Sequence, residues 1–152
     1  MREIESVIGE NCDRRTFVGI CASAMIAPLF AGCASLVARP VTPVNGRIEL
    51  ALQQYPELAQ RGGSLKLLPT GSTEPVYVLV LEDGNVTALS PICTHLGCTV
   101  EIQGARLVCP CHGSTYDRSG EVLVGPAVRR LKQYEVDQRA DGLLIIHLQG
   151  AP

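Results

Sequence analysis

The sequence of 152 residues has no tryptophan and only two phenylalanines, so a folded core has to be built mainly from aliphatic side chains. It also has no run of basic residues, and its formal net charge is −2. Proteins that bind the nucleic-acid backbone concentrate lysine and arginine on one surface, and we therefore expect no nucleic-acid partner. The sequence contains no internal repeat, phosphate-binding loop or Ser/His/Asp triad, and we expect no independent substrate chemistry.

Cysteine, by contrast, is abundant, with seven residues in the chain. Cys12, Cys21 and Cys33 lie near the N-terminus, and the other four lie in two short segments. Box 1, residues 93–98, reads Cys-Thr-His-Leu-Gly-Cys, and box 2, residues 109–114, reads Cys-Pro-Cys-His-Gly-Ser. Thiolates and imidazoles offered together from two loops are typical ligands of a metal centre.

The N-terminal region has the pattern of a targeting segment. Arg14 and Arg15 precede Thr-Phe, and residues 18–38 carry no charge. Basic residues followed by an apolar stretch are typical of export signals, and the paired arginines resemble a twin-arginine signal. We therefore predict that residues 1–38 are a twin-arginine-like signal or membrane anchor. The protein would then lie on the periplasmic side of a bacterial cytoplasmic membrane.

Three outcomes remain open for this segment after export. It could stay as an anchor helix, because 21 uncharged residues reach about 30 Å. It could be lipidated at Cys33, since residues 30–33 resemble a lipobox, or it could be removed. We expect membrane association, by anchor or by lipid, rather than a freely soluble protein. Residues 39–46 have the proline and glycine content of a linker.

Residues 47–150 are predicted to form one all-β domain, an antiparallel sandwich or barrel, because short apolar runs alternate with turn residues. Asp83-Gly84 is a strong hairpin signal, and residues 53–61 could form one helical turn interrupted by Pro56. Each box begins where a predicted strand ends, which places both on loops at one end of the sheet. The strands are predicted at residues 47–52, 64–68, 76–82, 86–90, 99–103, 106–109, 130–136 and 143–148.

The ligand types alone leave several kinds of site open. A structural zinc module uses the same side chains, although zinc knuckles usually take Cys-x-x-Cys pairs. Alternatively, all four box cysteines could form disulfides, with incidental histidines. Outside the boxes, His147 is expected to be an ordinary strand residue. Arg129, Arg130 and Lys132 are expected to form a solvated strand edge, with a docking surface for a redox partner as the alternative.

Both boxes resemble those of Rieske iron–sulfur proteins over their full length. The resemblance implies a Rieske-type antiparallel β-sandwich or barrel, with a cluster-binding subdomain of two loops after an N-terminal signal or anchor helix. It also implies one [2Fe–2S] cluster, with Cys93 and Cys109 on one iron and His95 and His112 on the other. Replacing two thiolates by neutral imidazoles lowers the negative charge of the cluster and raises its reduction potential.

The resemblance extends to residues around the proposed ligands. It implies a disulfide between Cys98 and Cys111, which Rieske ferredoxins of ring-hydroxylating dioxygenases lack. A disulfide belongs in an oxidising compartment, in agreement with an export signal.

Further family positions surround the cluster. The hydroxyls of Ser114 and Tyr116 would donate to a bridging sulfide and to a cysteine sulfur. Gly125 and Pro126 would begin a proline loop that covers the cluster, and Leu96 would make an apolar contact near a quinone.

These features resemble the high-potential Rieske subunit of quinol–cytochrome c reductases. The resemblance implies electron transfer from quinol, beside a cytochrome b-type partner, to a c-type cytochrome, with proton coupling through the histidine ligands. Two alternatives within the family are the small Rieske subunit of a periplasmic molybdenum oxidase similar to arsenite oxidase, and a stand-alone Rieske lipoprotein.

Overall fold

The computed structural model of the chain describes residues 37–149. The predicted signal or anchor, with Cys33, lies outside the described residues except for positions 37 and 38, and the domain boundaries at 38 and 150 stay predictions. None of the helices in the described part is long and apolar enough to cross a membrane.

The described chain is all-β, which confirms the predicted class. Seven strands form one sheet in the order β1-β3-β4-β5-β10-β11-β2, and four form a small sheet in the order β6-β7-β8-β9. We call the first the base sheet. The strands are β1 (Arg39–Val41), β2 (Arg47–Ala51), β3 (Ser64–Pro69), β4 (Val76–Val80), β5 (Val86–Leu89), β6 (Glu101–Gln103), β7 (Arg106–Val108), β8 (Thr115–Asp117), β9 (Val122–Val124), β10 (Gln133–Gln138) and β11 (Leu143–His147).

Strand β4 lies between two hydrophobic cores. Val76, Val78 and Val80 pack into a cluster of aliphatic residues from β2, β3 and β11, as the scarcity of aromatic residues predicts. Tyr77 and Leu79, which point to the opposite face because side chains alternate along a strand, pack into a second cluster beneath the two boxes. Burial on both faces explains why this strand is an unbroken apolar run.

The second core holds the small sheet and both boxes against the base sheet. It contains Leu89 of β5, Leu107 of β7 and Leu131, all fully buried, together with the first cysteine of each box. The two boxes therefore pack on a layer of buried apolar side chains.

Three strands were not predicted from the sequence. Strand β1 lies in the segment expected to be a linker and pairs in parallel with β3. Pro40 is compatible with this position, because β1 is at the edge of the base sheet. Strands β8 and β9 have three residues each.

The expected helical turn over residues 53–61 is replaced by two 3₁₀ turns, Leu52–Gln54 and Pro56–Leu58. Pro56 begins the second turn, a position where proline is favoured because its missing N–H has no partner in a helix. The Asp83-Gly84 turn between β4 and β5 is confirmed, with Gly84 at φ 89°.

Candidate metal centre

The two boxes have the same backbone hydrogen-bond pattern. In box 1, the N–H of Cys93 donates to the carbonyl of Cys98 (2.8 Å), and the N–H of Gly97 donates to the carbonyl of Cys93 (2.9 Å). In box 2, the N–H of Cys109 donates to the carbonyl of Ser114 (2.8 Å), and the N–H of Gly113 donates to the carbonyl of Cys109 (3.0 Å). Gly97 and Gly113 occupy the same loop position at φ 80° and 75°, a conformation that favours glycine. This requirement explains the glycine that both boxes share.

The boxes come from different sheets and are joined by a disulfide. Box 1 follows β5, and box 2 connects β7 to β8. The disulfide joins Cys98 to Cys111, as the resemblance implies. Cys93 and Cys109 remain free, so the alternative in which all four box cysteines are oxidised does not describe this structure.

The two boxes contain four possible metal donors. Cys93 and Cys109 are each only 2% exposed, and the ring centroids of His95 and His112 lie 5.0 Å apart at 88°. The Nδ1 atom of His95 is buried and has no hydrogen-bond partner among the described residues. Buried polar atoms nearly always have a partner, and a bound metal would supply one here. Two free thiols and two imidazoles therefore fit a mixed Cys/His centre.

A second group of sulfur atoms does not form a metal site of its own. The Sγ atoms of Cys98, Cys109 and Cys111 lie within 4.8 Å of one another. However, Cys98 and Cys111 are joined in the disulfide, and the thiolate is the form of cysteine that binds metals. Only Cys109 of this group is a candidate ligand.

The Tyr116 hydroxyl contacts box 1 directly. It lies 3.3 Å from the Sγ of Cys93, accepts the N–H of Thr94 (3.2 Å) and lies 3.1 Å from the Thr94 hydroxyl. Burial raises the pKa of the Tyr116 phenol, and the neighbouring Cys93 raises it further. Tyr116 therefore stays protonated and can donate a hydrogen bond to the sulfur.

The surroundings of Cys93 favour its thiolate. Burial raises the pKa of this thiol, but hydrogen bonds from Tyr116, the His95 backbone, Cys109 and Ser114 lower it, and the net direction is downward. The charged form is the one that binds a metal, so the hydrogen bonds prepare Cys93 for that role.

The predicted proline loop lies against box 2. The Ser114 hydroxyl is fully buried and accepts the N–H of Ala127 (3.0 Å), directly after the cis Gly125-Pro126 bond. A hydroxyl that accepts one hydrogen bond can still donate its own proton. Leu96 is 69% exposed at the outer side of box 1.

Two residues near the boxes were missed by the sequence analysis. Thr94 donates from its hydroxyl to the carbonyl of Arg129 (2.6 Å), which ties box 1 to the segment before β10. Arg118 is only 6% exposed. It donates to the carbonyl of Gly104, between β6 and β7 of the small sheet, and to the carbonyl of Val80, at the end of β4 in the base sheet. Burial lowers the pKa of Arg118. No local pattern distinguishes either residue from an ordinary loop residue.

An all-β scaffold that presents two buried free thiols and two imidazoles on two loops is typical of a small metal-binding protein with mixed Cys/His donors. The family model of the Rieske [2Fe–2S] domain matches residues 57–135, about half of the chain. The chain belongs to this family, whose members carry one [2Fe–2S] cluster. The family predicted from the two boxes is thereby confirmed. The match does not support the alternative of a structural zinc module.

Two curated relatives are iron-sulfur subunits of cytochrome b6-f complexes. The chain is 41% identical over 92 residues to the cytochrome b6-f complex iron-sulfur subunit 2 of Nostoc sp., covering 58% of this chain and 52% of that protein. It is 32% identical over 158 residues to the cytochrome b6-f complex iron-sulfur subunit of Chlorobaculum tepidum. This match covers 95% of this chain and 80% of that protein. The match therefore spans about half the length of the cyanobacterial relative.

A solved structure shows the same fold. The apo form of the quaternary ammonium Rieske monooxygenase CntA matches with a TM-score of 0.53 at 18% identity, covering 76% of this chain and 34% of that one. At this identity the similarity concerns the fold alone.

Proposed function

We propose that Cys93 and Cys109 bind one iron of the cluster and that His95 and His112 bind the other. The observation that carries this assignment is the buried, unpartnered Nδ1 of His95, beside a second imidazole and two free thiols. When bound, the cluster accepts and releases one electron. Two neutral imidazole ligands favour a potential of about −150 to +300 mV.

Tyr116 and Ser114 are proposed to raise this potential. Hydrogen bonds to cluster sulfurs stabilise the more negative, reduced state. Tyr116 already lies within reach of Cys93 Sγ, and Ser114 is buried with a proton available to donate. Leu96, exposed beside His95, would offer an apolar contact to a quinone.

We further propose that the protein is the Rieske subunit of a quinol–cytochrome c oxidoreductase. Its similarity to cytochrome b6-f complex iron-sulfur subunits supports this role. Electrons would pass from quinol, beside a cytochrome b-type subunit, to a c-type cytochrome on the periplasmic side of the membrane. Residues 1–38 would direct export through their paired arginines and hold the protein at the membrane.

The ligand assignment is tested by spectroscopy of the purified full-length protein and its variants. The reduced wild type should give a Rieske electron paramagnetic resonance signal and visible absorption. C93S and H112Q should lose both, because each removes one ligand. H147Q, altered at a histidine that instead contacts Asp137 at 2.9 Å, is the matched control and should retain both. A colourless wild type that contains zinc would contradict the assignment.

The complex is tested by purification of the protein from membranes in mild detergent. Recovery of a b-type cytochrome in constant ratio supports the proposal. Recovery of a molybdenum-containing subunit, or of the Rieske protein alone, contradicts it.

A further inference from the structure

An open groove of about 740 Å³ lies beside box 1. Its lining consists of Thr94, Glu121 and the segment 129–133, which leads into β10. Three side chains of this lining, Arg129, Arg130 and Lys132, are cationic. We call this feature the basic groove.

The positive charge of the basic groove is only partly balanced. Arg130 pairs with Glu121 (3.2 Å) and donates to Gln133 (2.8 Å). Arg129 and Lys132 have no acidic partner among residues 37–149, and the Lys132 ammonium lies 5.2 Å from the centre of the Tyr134 ring. The groove thus carries a local excess of positive charge on a protein whose net charge is −2.

The lining of the groove is connected to a proposed cluster ligand through hydrogen bonds of Thr94 and Tyr116. The Arg129 carbonyl accepts the Thr94 hydroxyl proton at 2.6 Å, and the N–H of Thr94 donates to Tyr116 at 3.2 Å. The Tyr116 hydroxyl lies 3.3 Å from Cys93 Sγ. A molecule bound in the groove is therefore separated from the Cys93 sulfur by two hydrogen-bonded side chains.

We propose that the basic groove receives an acidic segment of the soluble protein with which this protein exchanges electrons. This inference rests on the proposed function. In each encounter one electron leaves this protein and one is gained by the metal centre of the partner. Charge complementarity identifies the occupant, since opposite potentials attract partners and set the rate of association. The concave shape suits a protruding acidic loop more than a flat lipid surface.

The test measures electron transfer from the reduced, full-length protein to two soluble c-type cytochromes, one acidic and one basic. In the R129Q/K132Q variant, two groove cations are removed. The matched control, R61Q/R139Q, removes two exposed cations that do not line the groove. Arg139 follows the end of β10, roughly 20 Å along the strand from Gln133, about two Debye lengths at 0.1 M salt.

The acidic cytochrome should react with wild type and with the control at similar rates. At low ionic strength the rate with R129Q/K132Q should fall about three- to ten-fold, and the difference should vanish at high salt. Equal losses in the two double variants would overturn the inference, as would a wild type whose rate with the acidic cytochrome rises with salt. The salt dependence of electron transfer from wild type to the acidic cytochrome is measured without any variant. The inference can therefore be contradicted even if R129Q/K132Q does not fold.

A membrane is the other surface to be tested. Should R129Q/K132Q lose binding to phosphatidylcholine vesicles containing phosphatidylglycerol while its cytochrome kinetics match those of the control, the groove binds lipid and the inference is wrong. Failure of the proposed function is recognised separately. In that case the wild type has no Rieske signal and transfers no electron to either cytochrome.

Discussion

At the scale of single residues, the Tyr116 hydroxyl is placed to influence the electron affinity of the site. It lies 3.3 Å from the Cys93 sulfur, and the Ser114 side chain also hydrogen-bonds to this thiol. Thr94 competes for the same hydroxyl, because its own proton is directed to the Arg129 carbonyl and its oxygen is left to accept. The strength of the hydrogen bond from Tyr116 to the Cys93 sulfur therefore depends on Thr94, which is not itself a proposed ligand.

Y116F should lower the reduction potential. Loss of one hydrogen bond to the reduced cluster costs about 1 kcal/mol, which is roughly 40 mV for a one-electron couple. Potentiometric titration followed by electron paramagnetic resonance measures the shift. Y77F is the matched control, because Tyr77 is a buried tyrosine whose hydroxyl donates to the Val100 carbonyl at 2.9 Å. An equal shift in both variants would contradict a direct effect of Tyr116.

At the scale of elements, the boxes depend on two connections, one covalent and one polar. The disulfide links box 1 to box 2, and Arg118 links the small sheet to the base sheet. Each connection lies outside the proposed ligand set, so each can be removed without deleting a ligand.

The C98S/C111S variant should be less stable than wild type by about 3 kcal/mol, because the disulfide closes a loop with a sequence separation of 13 residues. Loss of visible absorption on heating should therefore occur at a lower temperature. Wild type treated with dithiothreitol is the control and should approach the variant. Unchanged thermal stability in the variant would show that the bridge does not stabilise the fold.

R118M should destabilise the fold by roughly 3 kcal/mol, because the buried Arg118 loses its charged hydrogen bonds to both sheets while the side-chain volume is largely kept. Urea unfolding followed by circular dichroism measures the change. R106Q, at an exposed arginine of β7, should stay within about 0.5 kcal/mol of wild type. The interpretation fails if R118M and R106Q have the same unfolding midpoint.

The boxes could be predicted from sequence because their chemistry is local. All proposed ligands and the disulfide lie within residues 93–112, and the loop glycines are part of the same pattern. Arg118 and Thr94 could not be assigned, because their partners are distant in sequence or are backbone carbonyls that no motif records. For the same reason β1 was expected to be a linker, since its pairing with β3 depends on the folded sheet.

At the scale of the whole molecule, buried phenols make stability depend on alkaline pH. Burial raises the pKa of Tyr77, and the negative charge of Glu101 raises it further. The pKa of Tyr134 is raised in the same way, by burial and by the negative charge of Glu74. In the unfolded chain these phenols lose their protons near pH 10, while in the folded protein they keep them. The unfolded state then binds fewer protons, so stability falls as the pH rises above about 10.

Urea unfolding at a series of pH values between about 9 and 11 should show this decline. The Y77F/Y134F variant should show a shallower decline than wild type, because the substituted rings cannot ionise. An equally steep decline in both proteins would mean that other groups cause the loss of stability. The measurement is made on oxidised protein, so that the disulfide is intact throughout.

Strand β4 is a wall shared by the two cores, with valines on one face and Tyr77 and Leu79 on the other. Both cores need β4 to stay packed, so we expect the part of the protein that carries the boxes to unfold together with the base sheet. Colour and secondary structure should therefore disappear in a single cooperative transition on heating. A protein built this way keeps its redox centre for as long as the base sheet stays folded. A cavity introduced at Val78, which packs in the core that contains no proposed ligand, therefore shortens the lifetime of the cluster.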